Sequence, residues 1–227
     1  MSRSRVASPG FRRLSALLAV GLVSFGHLGN GTRPSAADPA ESDAGSVAEI
    51  RFVQDVAWSP DGSWIAFSGY TGSAEEYEPA KWGVFIARSD GTDVRLLAGN
   101  AMWVSWSPDG DRLVFSAPRD GEGDLHVIGR DGTGREPITS HEADDRAPAW
   151  SPDGREIAFT STRDGNSEVH VLTLGGAATR RLTRNAVADH NPAWSPDGAG
   201  LVFYREVEGG LELGGGGGRG LSRGGAR

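Results

Sequence analysis

The chain has 227 residues, a net charge of −7 at neutral pH and no cysteine. The acidic balance argues against a nucleic-acid partner held by phosphate contacts. The lack of cysteine excludes disulfides, thiolate metal sites and a thiol nucleophile from this chain.

Residues 1–37 have the pattern of an export signal, which the linker of residues 38–47 follows. A start rich in arginine leads into an apolar run at 14–25, and small residues extend to Ala37. Because that run is short for a membrane span, cleavage before Asp38 is the favoured interpretation, and a retained N-terminal anchor is the alternative. This predicts an exported protein, whether periplasmic, cell-envelope or secreted, that meets a membrane only through an uncleaved signal.

A pentapeptide, Trp-Ser-Pro-Asp-Gly, dominates the rest of the chain, and its four copies begin at Trp58, Trp106, Trp150 and Trp194. The spacings of 48, 44 and 44 residues are typical of propeller blades. Pro presets φ, Asp bonds its own backbone and Gly accepts positive φ, so each copy predicts a tight turn. Apolar flanks make each turn part of a hairpin, and the third copy adds strands at 168–174 and 179–183. The pattern therefore predicts four-stranded antiparallel blades.

The third copy has the most complete repeat: Pro-Ala-Trp-Ser-Pro-Asp-Gly-Arg-Glu-Ile-Ala-Phe-Thr-Ser, then Arg-Asp-Gly-Asn-Ser-Glu-Val-His-Val, then Arg-Arg-Leu-Thr. It resembles the repeat of TolB-like β-propellers and is similar to the propeller domains of prolyl oligopeptidase-type peptidases. The resemblance covers residues 48–213 and implies an all-β propeller of about three and a half blades, part of a ring that has six in the family. It also implies protein–protein contacts in the cell envelope, without catalysis or a cofactor. The alternative is the propeller of an oligopeptidase-type serine hydrolase that lacks its catalytic domain.

The two borders of the repeat region carry further expectations. Residues 49–53 predict a lone strand that is able to complete the last blade. Residues 214–227 are rich in Gly and Arg, which predicts disorder and is expected of a truncated or frame-shifted product. A Gly-x-Ser-x-Gly match at 220–224 lacks the later acid and histidine of a nucleophile elbow, so it is interpreted as chance. An open arc is expected to expose apolar end faces and to associate through them.

The residues that recur in every copy favour structural roles. The motif tryptophans are predicted to pack between blades. The motif aspartates are predicted to stabilise their turns rather than to form a carboxylate ring, and they are Asp61, Asp109, Asp153 and Asp197.

The loops that lead into the blades are the better candidates for binding. Alignment by the motif tryptophan places Asp145 with Asp189 and Arg146 with His190, which predicts contacts to a partner or ligand at one mouth of the central channel. The alternative for these residues is loop-capping hydrogen bonds.

The first copy carries an insertion with three acidic residues, Glu75, Glu76 and Glu78. These side chains predict contact with a cation or a basic partner, and a solvated acidic loop is the alternative. No histidine has a close metal-ligand spacing, so the sequence predicts no metal site and no catalytic residue. A protein of unknown identity is the expected partner.

Overall fold

The computed structural model describes residues 49–119, 122–176 and 179–217, and these form four consecutive antiparallel sheets. The predicted all-β propeller is confirmed, with three four-stranded blades and a three-stranded fourth blade. Blade 1 also contains a short 3₁₀ helix, Pro79–Lys81. The strands, in chain order, are β1 (Phe52–Trp58), β2 (Trp64–Tyr70), β3 (Trp82–Arg88), β4 (Arg95–Gly99), β5 (Met102–Trp106), β6 (Arg112–Arg119), β7 (Glu122–Gly129), β8 (Glu136–Pro137), β9 (Asp145–Trp150), β10 (Glu156–Ser161), β11 (Glu168–Thr173), β12 (Thr179–Arg181), β13 (Asp189–Trp194), β14 (Gly200–Val207) and β15 (Gly210–Gly217).

The motif turn joins the first and second strands of every blade, and its side chains bond to one another. In blade 3 the Ser151 hydroxyl donates to Asp153 Oδ1 at 2.7 Å, and the same oxygen accepts the backbone N–H of Arg155 at 3.1 Å. Gly154 follows with a φ of +74°. The Ser151 hydrogen bond is the main cause that lowers the pKa of Asp153. Equivalent bonds hold the other three motif aspartates, which confirms their structural role.

A β-bulge interrupts the first strand of every blade, three residues before the motif tryptophan. The bulged residues are not glycines, yet all have a φ near +50°, and they are Asp55, Trp103, Ala147 and Asn191. The Trp103 N–H donates to Ser68 Oγ of blade 1, and the Asn191 N–H donates to Thr160 Oγ1 of blade 3, both at 3.0 Å. In blades 2 and 4 the bulge therefore turns a backbone N–H toward the neighbouring blade, which a regular strand would not do.

The blades pack through an apolar contact that repeats three times. Each motif tryptophan after the first joins the apolar cluster of the second strand in the preceding blade: Trp106 with Ala66, Trp150 with Val114, and Trp194 with Ala158. The first strands of successive blades also contact one another, β1 with β5, β5 with β9, and β9 with β13. Most of the core therefore lies between the blades, and a smaller buried cluster around Phe67 and Phe85 lies within blade 1.

The prediction that all four motif tryptophans are interblade core is wrong for Trp58, which is 61% exposed. Trp58 belongs to the first blade, so the described residues include no preceding blade to cover it. We call its surroundings the leading face, which also exposes Val53 and Leu96. Blade 4 carries the opposite surface, the trailing face, which is formed by Val202, Tyr204, Leu211 and Leu213.

The two borders differ from the expectations. Phe52 and Val53 pair with Tyr70 and Gly69 inside blade 1, so the predicted lone strand is the start of β1 and is not free to complete blade 4. At the other border β15 continues to Gly217, beyond the predicted boundary at 213, because backbone pairing needs no side chain. A Cβ at Gly214 would clash with the Phe203 ring. The signal, the linker and residues 218–227 of the tail lie outside the described residues and stay predictions.

Candidate functional site

The first strands of all four blades begin at the same end of the molecule, which we call the mouth end. Asp145 and Asp189 are the first residues of β9 and β13. The blade 1 insertion follows Tyr70, which pairs with Phe52 at the start of β1, so it also lies at this end. The motif turns lie at the opposite end. The topology thus brings the three groups of predicted site residues to one end of the propeller.

The two predicted aspartates are completely buried and are paired with arginines. Asp145 accepts two hydrogen bonds from Arg163 Nη2, at 3.0 and 2.8 Å. Asp189 accepts bonds from Arg205 Nε and Nη2, at 2.8 and 2.9 Å. The Asp189 pair raises the pKa of the Arg205 guanidinium. Buried charges need such partners, and these two pairs hold the ends of β9 and β13 in place.

The residues that follow these aspartates are half-buried and reach the surface. Arg146 Nη1 donates to Asp144 at 2.8 Å, and its Nη2 donates to Ser167 at 3.2 Å. His190 Nε2 lies 3.1 Å from Glu206 Oε1. The aligned positions therefore differ in exposure: the aspartates are buried inside the fold, while Arg146 and His190 are half-buried and reach the surface.

The acidic insertion is folded over Tyr70. The Tyr70 hydroxyl donates to the Glu76 carbonyl at 3.0 Å and accepts the Glu78 N–H at 2.9 Å. Tyr77 stacks on Tyr70 with its ring 5.8 Å away and is itself 68% exposed. The carboxylates of Glu75, Glu76 and Glu78 are left at the exposed surface around this aromatic pair.

A cavity of about 170 Å³ lies between the insertion and the loops of blades 2 and 3. Its lining is mostly apolar and includes Pro79, Met102, Trp103, Pro118 and Asp144. Sites for drug-sized ligands occupy ~300–1,000 Å³, so this space suits one protruding side chain better than a free small molecule.

A larger hollow, of about 580 Å³, lies at the turn end between blades 3 and 4. Its acidic groups already have partners, since Asp153 and Asp197 bond within their turns and Glu156 pairs with Arg180. We therefore place the candidate site at the mouth end despite the smaller volume there.

Sequence reasoning missed a buried acid in blade 3, Glu168. Its carboxylate accepts bonds from Arg181 Nη2 at 2.9 Å, from the Thr183 hydroxyl, and from the Asn185 N–H at 3.0 Å. It thereby orders the loop that leads to Asp189, because Asn185 Nδ2 also donates to Asp189 at 2.8 Å.

The signal for this acid was present in the repeat. In blade 2 the Thr139 hydroxyl donates to Asp124, and in both blades the threonine follows its acid by 15 residues. Its hydroxyl also accepts the N–H of the residue after the acid, Leu125 or Val169, at 2.9 Å. Comparison of third and fourth strands between copies would have identified the pair.

Two further groups outside the predicted set have shifted pKa values. Burial raises the pKa of the Asp55 carboxyl, against hydrogen bonds from Ser68 and the Trp103 backbone that lower it. Burial, together with the nearby Arg163, lowers the pKa of His170 to about 4. His170 is therefore neutral at physiological pH and belongs to the interior of blade 3.

Among the described residues, no set of three or more His, Asp or Glu side chains is placed to hold a metal ion. Over the same residues, no helix has both the length and the apolarity that a membrane span requires.

The chain is similar to several proteins of known identity. It is 35% identical over 102 residues to the Tol-Pal system protein TolB of Syntrophus aciditrophicus, which covers 41% of this chain and 22% of that protein. The structure of a putative TolB from Agrobacterium tumefaciens matches with a TM-score of 0.68 and 26% identity, over 76% of this chain and 64% of that one. A puromycin-hydrolysing peptidase of Mycobacterium tuberculosis matches with a TM-score of 0.62 and 17% identity, over 78% of this chain and 30% of that one.

These comparisons agree with the repeat and with the blade geometry. The chain spans about a fifth of the length of the curated relatives it matches. At 17% identity the peptidase likeness shows the fold alone. The model of the TolB beta propeller domain matches residues 52–215, and the chain belongs to that family.

Proposed function

We propose that this chain is an exported, non-catalytic propeller module that binds a protein of the cell envelope at its mouth end. The observation that carries the proposal is the apolar cavity beside Met102 and Trp103, which Pro79 of the blade 1 insertion also lines. The same insertion carries the exposed Tyr77. Protein interfaces concentrate their energy in aromatic and arginine anchors that surround a pocket for one partner side chain. Arg146 and His190 supply polar groups at the same end.

The relatives support the envelope assignment. The curated match is named a Tol-Pal system protein, and residues 1–37 have the charge and apolar pattern of an export signal. At the described mouth end the buried charged side chains are paired with each other, as Asp145 is with Arg163. Catalysis of the hydrolase kind needs a nucleophile beside a base instead. We therefore propose that the mouth end binds a protein and does not hydrolyse it.

The experiment places a photo-activated cross-linker at single positions of the full chain and irradiates it with the cell-envelope fraction of the organism that carries the gene. Positions Tyr77 and His190 report on the mouth end, and exposed Arg155 at the turn end is the control. We expect a discrete adduct from the first two positions only.

Substitutions of Met102, which lines the cavity, test whether that adduct depends on the cavity. Met102→Asp places a charge in the apolar lining and should remove the Tyr77 adduct, whereas Met102→Leu should keep it. Equal adducts from Arg155, or an adduct that survives Met102→Asp in a folded chain, would contradict the proposal.

A further inference from the structure

We propose that a groove between blades 1 and 2, at the turn end, binds a phosphate group that is either free or carried by a small molecule. A hollow of about 350 Å³ lies in this groove, and its lining residues are Ser63, Trp64, Arg88, Arg95, Arg130 and Asp131. Blade 1 supplies the first four of them and blade 2 the last two, so described residues form both walls. The site lies away from the mouth end, and it does not depend on the function proposed above.

The indole of Trp64 holds two of the three guanidinium groups in place. The Cζ atoms of Arg88 and Arg95 lie 4.1 and 4.9 Å from the centre of the Trp64 ring, and Trp64 is 6% exposed. A guanidinium that stacks on an aromatic face keeps its N–H groups available for a planar contact with an oxyanion. Trp64 therefore orients two sets of donors without using any of them.

The three arginines of the hollow make few contacts that would occupy their donors. None of their side chains donates a hydrogen bond to a described residue. Asp93 lies 4.0 Å from Arg88 Nε and 3.3 Å from Arg95 Nε. Asp111 lies 3.9 Å from Arg130 Nη2. All five side chains are at least 35% exposed, and ion pairs in such positions contribute little to stability. The arginines can therefore exchange these partners for a ligand.

Blade 3 shows how the same positions are neutralised elsewhere in the chain. Glu156 and Trp64 each open the second strand of their blade. Arg180 and Arg95 occupy matching places in the fourth strand. In blade 3 the acid and the arginine form an ion pair at 3.2 Å. In blade 1 the tryptophan replaces the acid and Arg88 adds a second guanidinium, so this groove has cations where blade 3 has a neutral pair.

Asp93 is the acid with which a bound anion would compete. Asp131, which also lines the hollow, already accepts the N–H and the hydroxyl of Thr133, at 2.9 and 2.8 Å. Asp93 contacts the two stacked arginines instead, and its backbone φ of +53° is one that asparagine also adopts. Replacement by asparagine therefore removes the competing charge and leaves the turn intact.

Three guanidinium groups from two blades suit a phosphate better than a carboxylate. A phosphate offers each of them a different oxygen, whereas a carboxylate has only two oxygens. Charge-assisted hydrogen bonds of this kind are about twice as strong as neutral ones. Sites for small molecules occupy ~300–1,000 Å³, so the hollow also has room for a small organic group attached to the phosphate.

The test titrates the full chain, with isotope-labelled tryptophans, against three probes at a constant ionic strength set by NaCl. The probes are inorganic phosphate, glycerol phosphate and succinate, which carries a similar charge on carboxylates. Indole N–H signals in NMR spectra report binding, and Trp64→Phe identifies the signal of Trp64. We expect that signal to shift saturably with both phosphates and not with succinate. The phosphate that binds more tightly identifies the source of the group.

Variants test whether the binding depends on the arginines. Arg130 lies outside the stack on Trp64, so Arg130→Gln should leave the fold intact. It should weaken phosphate binding about 10-fold or more, the loss expected for one charge-assisted hydrogen bond. The matched control is Arg155→Gln, which changes an exposed arginine at the turn end of blade 3 and should leave binding unaltered. Asp93→Asn should bind phosphate more tightly.

Four results would overturn the proposal. The first is an absent or unsaturable shift with both phosphates, and the second is succinate binding as tight as phosphate binding. The third is an Arg130→Gln chain that is folded by circular dichroism and binds phosphate unchanged. The fourth is an Asp93→Asn chain whose affinity does not rise, because the carboxylate would then not compete for the arginines.

Discussion

Trp150 and Trp58 occupy the same position of the same repeat, yet one is 6% exposed and the other 61%. Both precede a Ser-Pro-Asp-Gly turn, and both stand at the end of the first strand of their blade. The difference lies outside their own blade: blade 2 covers Trp150, and the described chain holds no blade before Trp58. A repeat specifies the shape of a blade, while the neighbouring blade decides whether its apolar surface becomes core.

The largest expected effect tests this contrast directly. Trp150→Ala should lower the free energy of unfolding by about 3–5 kcal/mol, as for buried large aromatics. Trp58→Ala should change it by no more than about 0.5 kcal/mol, the range of ordinary surface substitutions. Urea unfolding at protein concentrations too low for association measures both. Equal losses from the two variants would mean that Trp58 is covered in solution.

A second prediction compares a buried ion pair at the mouth end with an exposed one at the border of the blades. Arg163→Met leaves the buried Asp145 carboxylate without its main partner and should cost roughly 3 kcal/mol. Arg51→Met breaks the exposed pair with Glu49 and should cost less than about 1 kcal/mol. The double change Asp145→Asn with Arg163→Met should recover part of the loss, and a failure to do so would assign Arg163 to packing alone.

A third prediction concerns the motif-turn glycines, whose effect on stability should not depend on the neighbouring blade. Gly110 and Gly62 have φ values of +72° and +68°, and only Gly110 faces a proline of another blade, at an ordinary contact distance of 3.5 Å. Alanine at either position should cost about 1 kcal/mol, because the left-handed backbone carries the penalty. A clearly larger loss at Gly110, measured by thermal unfolding, would show that the blade contact is tighter than the structure gives.

The smallest effect is a change in pH dependence. The pKa of His170 is about 4 in the fold, below its usual 6.5, so the unfolded chain binds this proton first as the pH falls. The stabilising effect of the neutral ring is complete above pH ~6.5 and is lost progressively between pH ~6.5 and 4.

His170→Phe should flatten stability against pH in that window. The substitution copies blade 1, where Phe85 stands at the matching position and stacks on Phe67 at 5.6 Å. Urea midpoints measured across the window test this, and an unchanged slope would show that His170 titrates normally in the fold. Below that window the motif aspartates, whose pKa values are held low, should dominate the loss of stability.

Much of the fold was predictable because the same turn motif, with its flanking strands, occurs four times in the sequence. The turn residues, the hairpins and the antiparallel order follow from local chemistry, and the structure has them where the pattern placed them. That the candidate residues lie at one end of the propeller follows from the repeat, while their binding role stays a prediction. Asp145 and Asp189 align correctly, but only their burial beside Arg163 and Arg205 shows that they hold strand ends together.

Two features escaped prediction for physical reasons. The bulges at Trp103 and Asn191 carry no glycine, and a backbone hydrogen bond to the neighbouring blade accompanies the positive φ at both. In the sequence, Glu168 looks like an ordinary charged residue at the start of a strand. Its buried role is visible only from its hydrogen bonds with Thr183 and Asn185. Both depend on residues far away in the chain, which a reading of local patterns does not bring together.

Local sequence specifies the repeating unit, a hairpin closed by Ser-Pro-Asp-Gly and extended to a four-stranded blade, because turn propensity and alternating apolar residues act over a few neighbouring positions. Which copies of that unit become core and which remain surface depends on the contacts between blades. Burial is a property of two blades together, so identical motifs end with Trp150 enclosed between blades and Trp58 exposed at the leading face.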